Sequence, residues 1–178
     1  MSTATKGRFF PVVGFGLGSS TIDTFNEQTL SNAGINPWLG QLGNVVEQNG
    51  KVYRLVKFDN GTGDVASVAG GAAHWKTRAD YIVTSDYTDA EAPLNGIAGA
   101  FLGVVTDGYY CFIQLGGLQA VVTDTTAAAG TALIATTTDL TLVATTTNTK
   151  GNQYIYATSY GTNTTTSANV YWNFGVLL

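Results

Sequence analysis

An Asp-Gly pair set between two apolar runs constrains this chain more than any other feature. Phe101 to Thr106 is one run, Asp107-Gly108 interrupts it, and Tyr109 to Leu115 is the next. Asp-Gly between β-branched and aromatic residues is among the strongest short-range hairpin signals, because both central residues of the favoured turn must tolerate positive φ. Gly116-Gly117 then reads as a second turn before Leu118 to Val122, which predicts three antiparallel strands in succession, a meander. The near-continuous apolar character of Tyr109 to Leu115 predicts a strand covered on both faces.

Strand and turn signals extend along the chain. Val52 to Phe58 alternates and is followed by a turn at Asn60-Gly61. His74 to Val83 is strand material, and Thr84 to Asn95 is a polar, acidic loop. Residues 123–149 form a Thr/Ala tract in which Thr131 to Thr136 and Asp139 to Thr145 fit two more strands, since threonine favours strand over helix. Tyr154 to Ala157 and Val170 to Leu178 complete the set. Many short strands divided by turn signals imply an all-β fold, an antiparallel sandwich or small barrel. Residues 1–48 differ: Gly14, Gly16 and Gly18 alternate, and the segment reads as an extended Gly-rich arm with one short helix near Thr21 to Leu30. The expected organisation is therefore an arm over 1–48 and a β-rich domain over 49–178.

Charge narrows the function. Only 11% of the 178 residues are charged, less than half the roughly 25% usual in soluble domains. Thr, Ser, Asn and Gly must cover the surface instead, as in a protein packed against copies of itself or a scaffold. Seven of the eight basic residues precede Ala79 and face five acids there; Lys150 alone follows, against seven acids. No basic stripe exists to neutralise phosphates, so direct nucleic-acid binding is disfavoured. Residues 1–20 lack the charged and apolar segments of a secretory signal, and no apolar stretch approaches the roughly 20 residues that span a bilayer.

The residues that carry chemistry are scarce. His74 is the single histidine and Cys111 the single cysteine, which excludes His-rich zinc sites and an intramolecular disulfide. A catalytic triad would have to use His74, and no G-x-S-x-G elbow is present. Cys111, flanked by Tyr110 and Phe112, reads as a buried inert thiol, and His74 beside Trp75 as a packed or interfacial residue rather than a catalytic base. Asp86, Asp89 and Glu91 gather near Thr88, but without the EF-hand pattern they read as a solvated acidic loop. Gly14 to Ser19 does not satisfy G-x-G-x-x-G. Tyr154, Tyr156, Tyr160, Tyr171 and Trp172 fit either strand packing or a sugar-stacking platform. No catalytic residue, cofactor site or metal site is assigned.

Several stretches carry a resemblance: Asn49 to Lys57, Trp75 to Thr84, Asn95 to Gly99, Val104 to Tyr109, and Phe112 to Gly117. Together, over roughly Val45 to Ala135 and with a Thr/Ala-rich tail, they resemble small virion proteins of tailed bacteriophages of the head-decorating, or cement, type. That resemblance implies a non-enzymatic protein on the capsid surface, partnered by the major capsid protein, homo-oligomeric with a trimer favoured, and needing no cofactor, nucleic acid or membrane. Contact candidates are Phe9, Phe10, Phe15 and Leu17 in the arm, and Tyr171, Trp172 and Phe174 near the C-terminus. Arg54, Lys76 and Arg78 are candidates for pairing with acidic capsid patches. A tail or baseplate protein, or a carbohydrate-binding module of a phage fibre, fits the same composition.

Overall fold

The computed structural model describes residues 42–48, 50–91, 96–145, 157–159 and 167–173. The arm candidates, the expected helix near Thr21 to Leu30, Tyr154, Tyr156, Tyr160 and Phe174 lie outside these residues. Among the described residues the chain is all-β, with ten strands: β1 (Val45–Gln48), β2 (Lys51–Phe58), β3 (Ala72–Thr77), β4 (Ile82–Thr84), β5 (Ile97–Phe101), β6 (Tyr110–Val122), β7 (Ala132–Ala135), β8 (Leu142–Thr145), β9 (Ala157–Ser159) and β10 (Ser167–Asn173).

Five of these close a barrel. The order β2-β4-β3-β5-β6 returns to its start because β6 also pairs with β2, antiparallel, from Val52↔Gly116 to Lys57↔Tyr110. Of the barrel's pairings only β2–β4 is parallel. Closure removes the exposed edges an open sheet would leave. The period-2 alternation of the strands supplies the interior: Val56 and Phe58 from β2, Trp75 from β3, Val83 from β4, Phe101 from β5, and Cys111, Ile113 and Leu115 from β6. Phe58 and Phe101 meet edge to face with centroids 5.3 Å apart, a geometry favoured by the ring quadrupoles. The opposite parity faces outward and is buried too: Tyr53, Leu55 and Phe112 form their own cluster. The expectation of a strand covered on both faces therefore holds for Cys111 to Leu115 of the expected Tyr109 to Leu115.

The predicted meander does not form. Gly116-Gly117 is no turn, and β6 runs through it for 13 residues. Gly117 takes φ +85°, and a Cβ there would lie 2.7 Å from the Gly50 carbonyl oxygen. The two glycines let the strand bend without breaking, and at the bend it changes partners. Before it β6 pairs with β2 and β5; after it, with β10 from Gly116↔Asn173 to Val122↔Ser167. β10, β9, β7 and β8 follow in order, and a single bridge, Thr123↔Leu142, ties β8 back to the end of β6. This second layer packs on the outside of β3 and β5 through Ala72, Ile97, Ala100, Val121, Ala127, Leu133, Leu142 and Ala168. Four alanines among eight residues allow the layers to approach closely.

Two further expectations are corrected. The first hairpin strand is Ile97–Phe101, not Phe101 to Thr106, and a long loop runs from Leu102 to Tyr109. Asp107-Gly108 does turn the chain, with Tyr109 N–H donating to the Thr106 carbonyl at 3.1 Å, but only Gly108 has positive φ. The tip thus uses a wider loop, because Gly108 and Tyr109 are held by Phe58 of β2 through backbone bonds of 3.0 and 2.8 Å. His74 to Val83 is not one strand either. It folds into the β3–β4 hairpin around the 3-10 turn Arg78–Asp80, ending at Tyr81 with φ 55°.

Candidate functional site

Among the described residues, a dense polar construction lies where β2 leaves the barrel. The segment Asp59-Asn60-Gly61-Thr62-Gly63-Asp64 is rich in turn formers, and Gly61 turns it at φ +77°. A tight loop exposes backbone N–H groups that no ladder satisfies. Here four consecutive ones each donate to a different carboxylate. Asn60 N–H reaches Asp107 Oδ1 at 3.0 Å, Gly61 N–H reaches Asp59 Oδ1 at 3.0 Å, Thr62 N–H reaches Asp89 Oδ2 at 2.9 Å, and Gly63 N–H reaches Asp86 Oδ2 at 2.8 Å. The Asn60 side-chain amide donates to Asp64 Oδ1, and Thr62 Oγ1 to Asp89 Oδ1. Bonds to ionised acceptors are roughly twice as strong as neutral ones.

Asp86 is the centre of this knot. It is 2% exposed and also accepts from Thr88 N–H and Thr88 Oγ1, capping the 3-10 turn Tyr87–Asp89. The Thr88 hydroxyl bond holds its carboxyl below the ordinary value; burial opposes this, and the Gly63 and Thr88 amides reinforce it. The expectation of a solvated acidic loop is therefore corrected: Asp86 is buried and Asp89 is tied to Thr62. Lys76 is the cation of the cluster, 2.8 Å from Asp59 and 3.1 Å from Asp89. Its hydrogen bond to Asp59 raises its pKa, with Asp89 adding to the effect against burial. Asp89 is lowered, first by Lys76 and then by Thr62. For Asp59 burial acts upward, but Lys76 and the Gly61 amide outweigh it and the net shift is downward.

The structure separates the three predicted cations. Lys76 is engaged in the knot. Arg54 shares the inward parity of Val56 and Phe58, and its guanidinium lies 5.8 Å from the Trp75 ring centroid, a cation–π contact. Burial lowers its pKa, with Tyr81 acting in the opposite sense. Arg78 is exposed, and its backbone N–H donates to Glu91 Oε2 at 2.9 Å. Tyr171 and Trp172 stand in β10 opposite Leu118 and Gly117. His74 and Cys111 are buried, as expected; His74 meets the Tyr87 ring edge to face at 5.6 Å. Among the described residues no group of three or more His, Cys, Asp or Glu is placed to hold a metal ion.

Sequence reasoning missed Asp59, Asn60, Thr62, Gly63 and Asp64 as one construction. The local signal was present, since aspartates bracket Asn-Gly-Thr-Gly. Asp86, Asp89 and Asp107, which complete it, arrive from more than 20 residues away and leave no trace in local pattern.

No protein-family model matches the chain, and no curated protein does. Among solved structures it is similar to the head fiber gp8.5 N base of bacteriophage phi29, at 11% identity and a TM-score of 0.46, over 69% of this chain and 94% of that one.

Proposed function

We propose that this chain is a non-enzymatic virion structural protein that decorates a tailed-phage capsid and stabilises it by binding the assembled shell. The observation that carries this reading is the coincidence of the phage-like segments with the barrel. Of Asn49 to Lys57, the residues from Lys51 on are most of β2, Trp75 to Thr84 covers most of the β3–β4 hairpin, and Phe112 to Gly117 is the part of β6 that closes the ring and bends. A closed, two-layered scaffold whose clustered carboxylates bind its own loops is suited to holding position on a surface. A sparsely charged exterior suits lasting contact with protein.

The mechanism is linkage. A protein that binds only the assembled shell stabilises it by about 2.7 kcal/mol per site when its free concentration is about 100 times Kd. The contacts we assign are Phe9, Phe10, Phe15 and Leu17 of the arm, Tyr171, Trp172 and Phe174 near the C-terminus, and the exposed Arg78. Lys76 and Arg54 contribute only at the margin, because each already has a partner within the chain.

Quantitative mass spectrometry of purified virions, against the major capsid protein, tests the proposal. A near-stoichiometric ratio supports head decoration. A trace ratio replaces it with a tail or baseplate role, and absence from the particle overturns the structural reading. Deleting residues 1–18 is expected to weaken binding to purified shells; unchanged occupancy removes the arm from the contact.

A further inference from the structure

Asn60-Gly61 is a reactive dipeptide wherever it is mobile, because glycine carries no Cβ to hinder its nitrogen. In the reaction the Gly61 nitrogen loses its proton and bonds to Asn60 Cγ. The Cγ–Nδ2 bond breaks, ammonia leaves, and a succinimide ring remains. Water then opens the ring at either carbonyl, giving aspartate or isoaspartate.

In this fold every participant is restrained. The Gly61 N–H is held by Asp59 Oδ1 at 3.0 Å, the Asn60 side-chain amide is bound to Asp64, and Asn60 N–H is held by Asp107 at 3.0 Å. The Asn60 carbonyl accepts Val65 N–H at 3.0 Å. Deprotonation of Gly61 is opposed by the surrounding carboxylates, since an amide anion there would face like charge. Turning the Asn60 side chain toward Gly61 would break its bond to Asp64.

We propose that Asn60 is a guarded deamidation site, and that its conversion turns the carboxylate-bound loop into a one-way latch. While the loop is closed the reaction is suppressed; once the loop opens, Asn60 converts and the closed form cannot re-form. Isoaspartate inserts a methylene into the main chain between residues 60 and 61, so the four N–H groups no longer match four carboxylates. The aspartate product fails differently. It places a carboxylate against Asp64, where an amide donor stood, and like charges at that distance repel.

The chain contains its own reference, because Asn49 and Asn95 are also followed by glycine, and Gly50 has open space around it. The full-length protein is incubated in warm, mildly alkaline buffer, native or in denaturant, and digested. Mass spectrometry then reads aspartate and isoaspartate at all three sites. In denaturant the three should convert alike. In the native protein Asn60 should convert about tenfold more slowly or less, as for a reaction that waits on local opening. Asp89→Asn, which weakens the hold on Thr62, should raise the native rate at Asn60 several-fold and leave Asn49 unchanged. Thr62→Ala replaces it if circular dichroism shows that Asp89→Asn fails to fold. Equal native and denatured rates at Asn60, or a folded variant as slow as the parent, overturn the guarding. A converted, refolded fraction that melts with the parent overturns the latch.

Discussion

Replacing Asp86 by asparagine isolates what the buried carboxylate contributes. The side chain is 2% exposed and accepts three bonds: Gly63 N–H at 2.8 Å on Oδ2, and Thr88 N–H at 2.8 Å and Thr88 Oγ1 at 2.5 Å on Oδ1. Asparagine fits the space but has one oxygen. Its NH2 must point at a donor, and the less harmful choice turns it toward Gly63, which is exposed and can bond to water. One charge-assisted bond is then lost outright, for a cost of about 1.5–3 kcal/mol. In a chain of this length that lowers Tm by roughly 3–12 °C. The folded-state carboxyl lies below its unfolded value of about 3.9. Its stabilisation is therefore present above about pH 4 and is lost as pH falls through the folded value. Urea melts of both proteins, from about pH 7 down to roughly pH 3, should show a gap that narrows in acid. The other carboxylates titrate in both proteins, so the difference reports Asp86. A gap below about 0.5 kcal/mol at neutral pH, or one that stays constant in acid, would refute the reasoning.

Three other outcomes are expected. Ile113→Ala empties space at a fully buried position inside the barrel and should cost about 2–5 kcal/mol in a denaturant melt, whereas Leu118→Ala, at 45% exposure, should stay within about 0.5 kcal/mol. Gly117→Ala should destabilise more than Gly130→Ala: both have positive φ, which costs an L-residue about 1–2 kcal/mol, but only Gly117 also meets backbone, at 2.7 Å, while Gly130 faces open space. Lys76→Met should cost about 1 kcal/mol or less, because the pairs are part-exposed. With its pKa raised, the lysine's contribution is present below about pH 10.4 and lost as pH rises through the folded value, and the cost should shrink in high salt.

Much of the barrel is legible in the sequence wherever one strand's own pattern suffices. The alternation of Val52 to Phe58 marks β2, and the apolar density of Tyr109 to Leu115 marks a strand buried on both faces. The Thr/Ala tract yields β7 and β8 close to their observed positions. Gly116-Gly117 is where the reading fails. A glycine pair means freedom to take positive φ, and a turn and a bent strand use that freedom alike. Only the Gly50 carbonyl on one side and β10 along the other select the bend. His74 to Val83 fails for a related reason, since Tyr81 in the left-handed region is not foreseeable for a bulky residue.

By itself, then, the sequence determined the all-β class, the alternation of β2, the two-sided burial of β6, and the poverty of reactive groups. All four follow from side-chain chemistry and the two-residue repeat of an extended backbone, which are local properties. Tertiary structure alone decided that β6 closes on β2, that β2 and β4 run parallel, and that Asp86, Asp89 and Asp107 converge on the amides of residues 60–63. Those outcomes depend on which distant segments meet once loop closure and burial are balanced across the whole chain, and no local pattern encodes that balance.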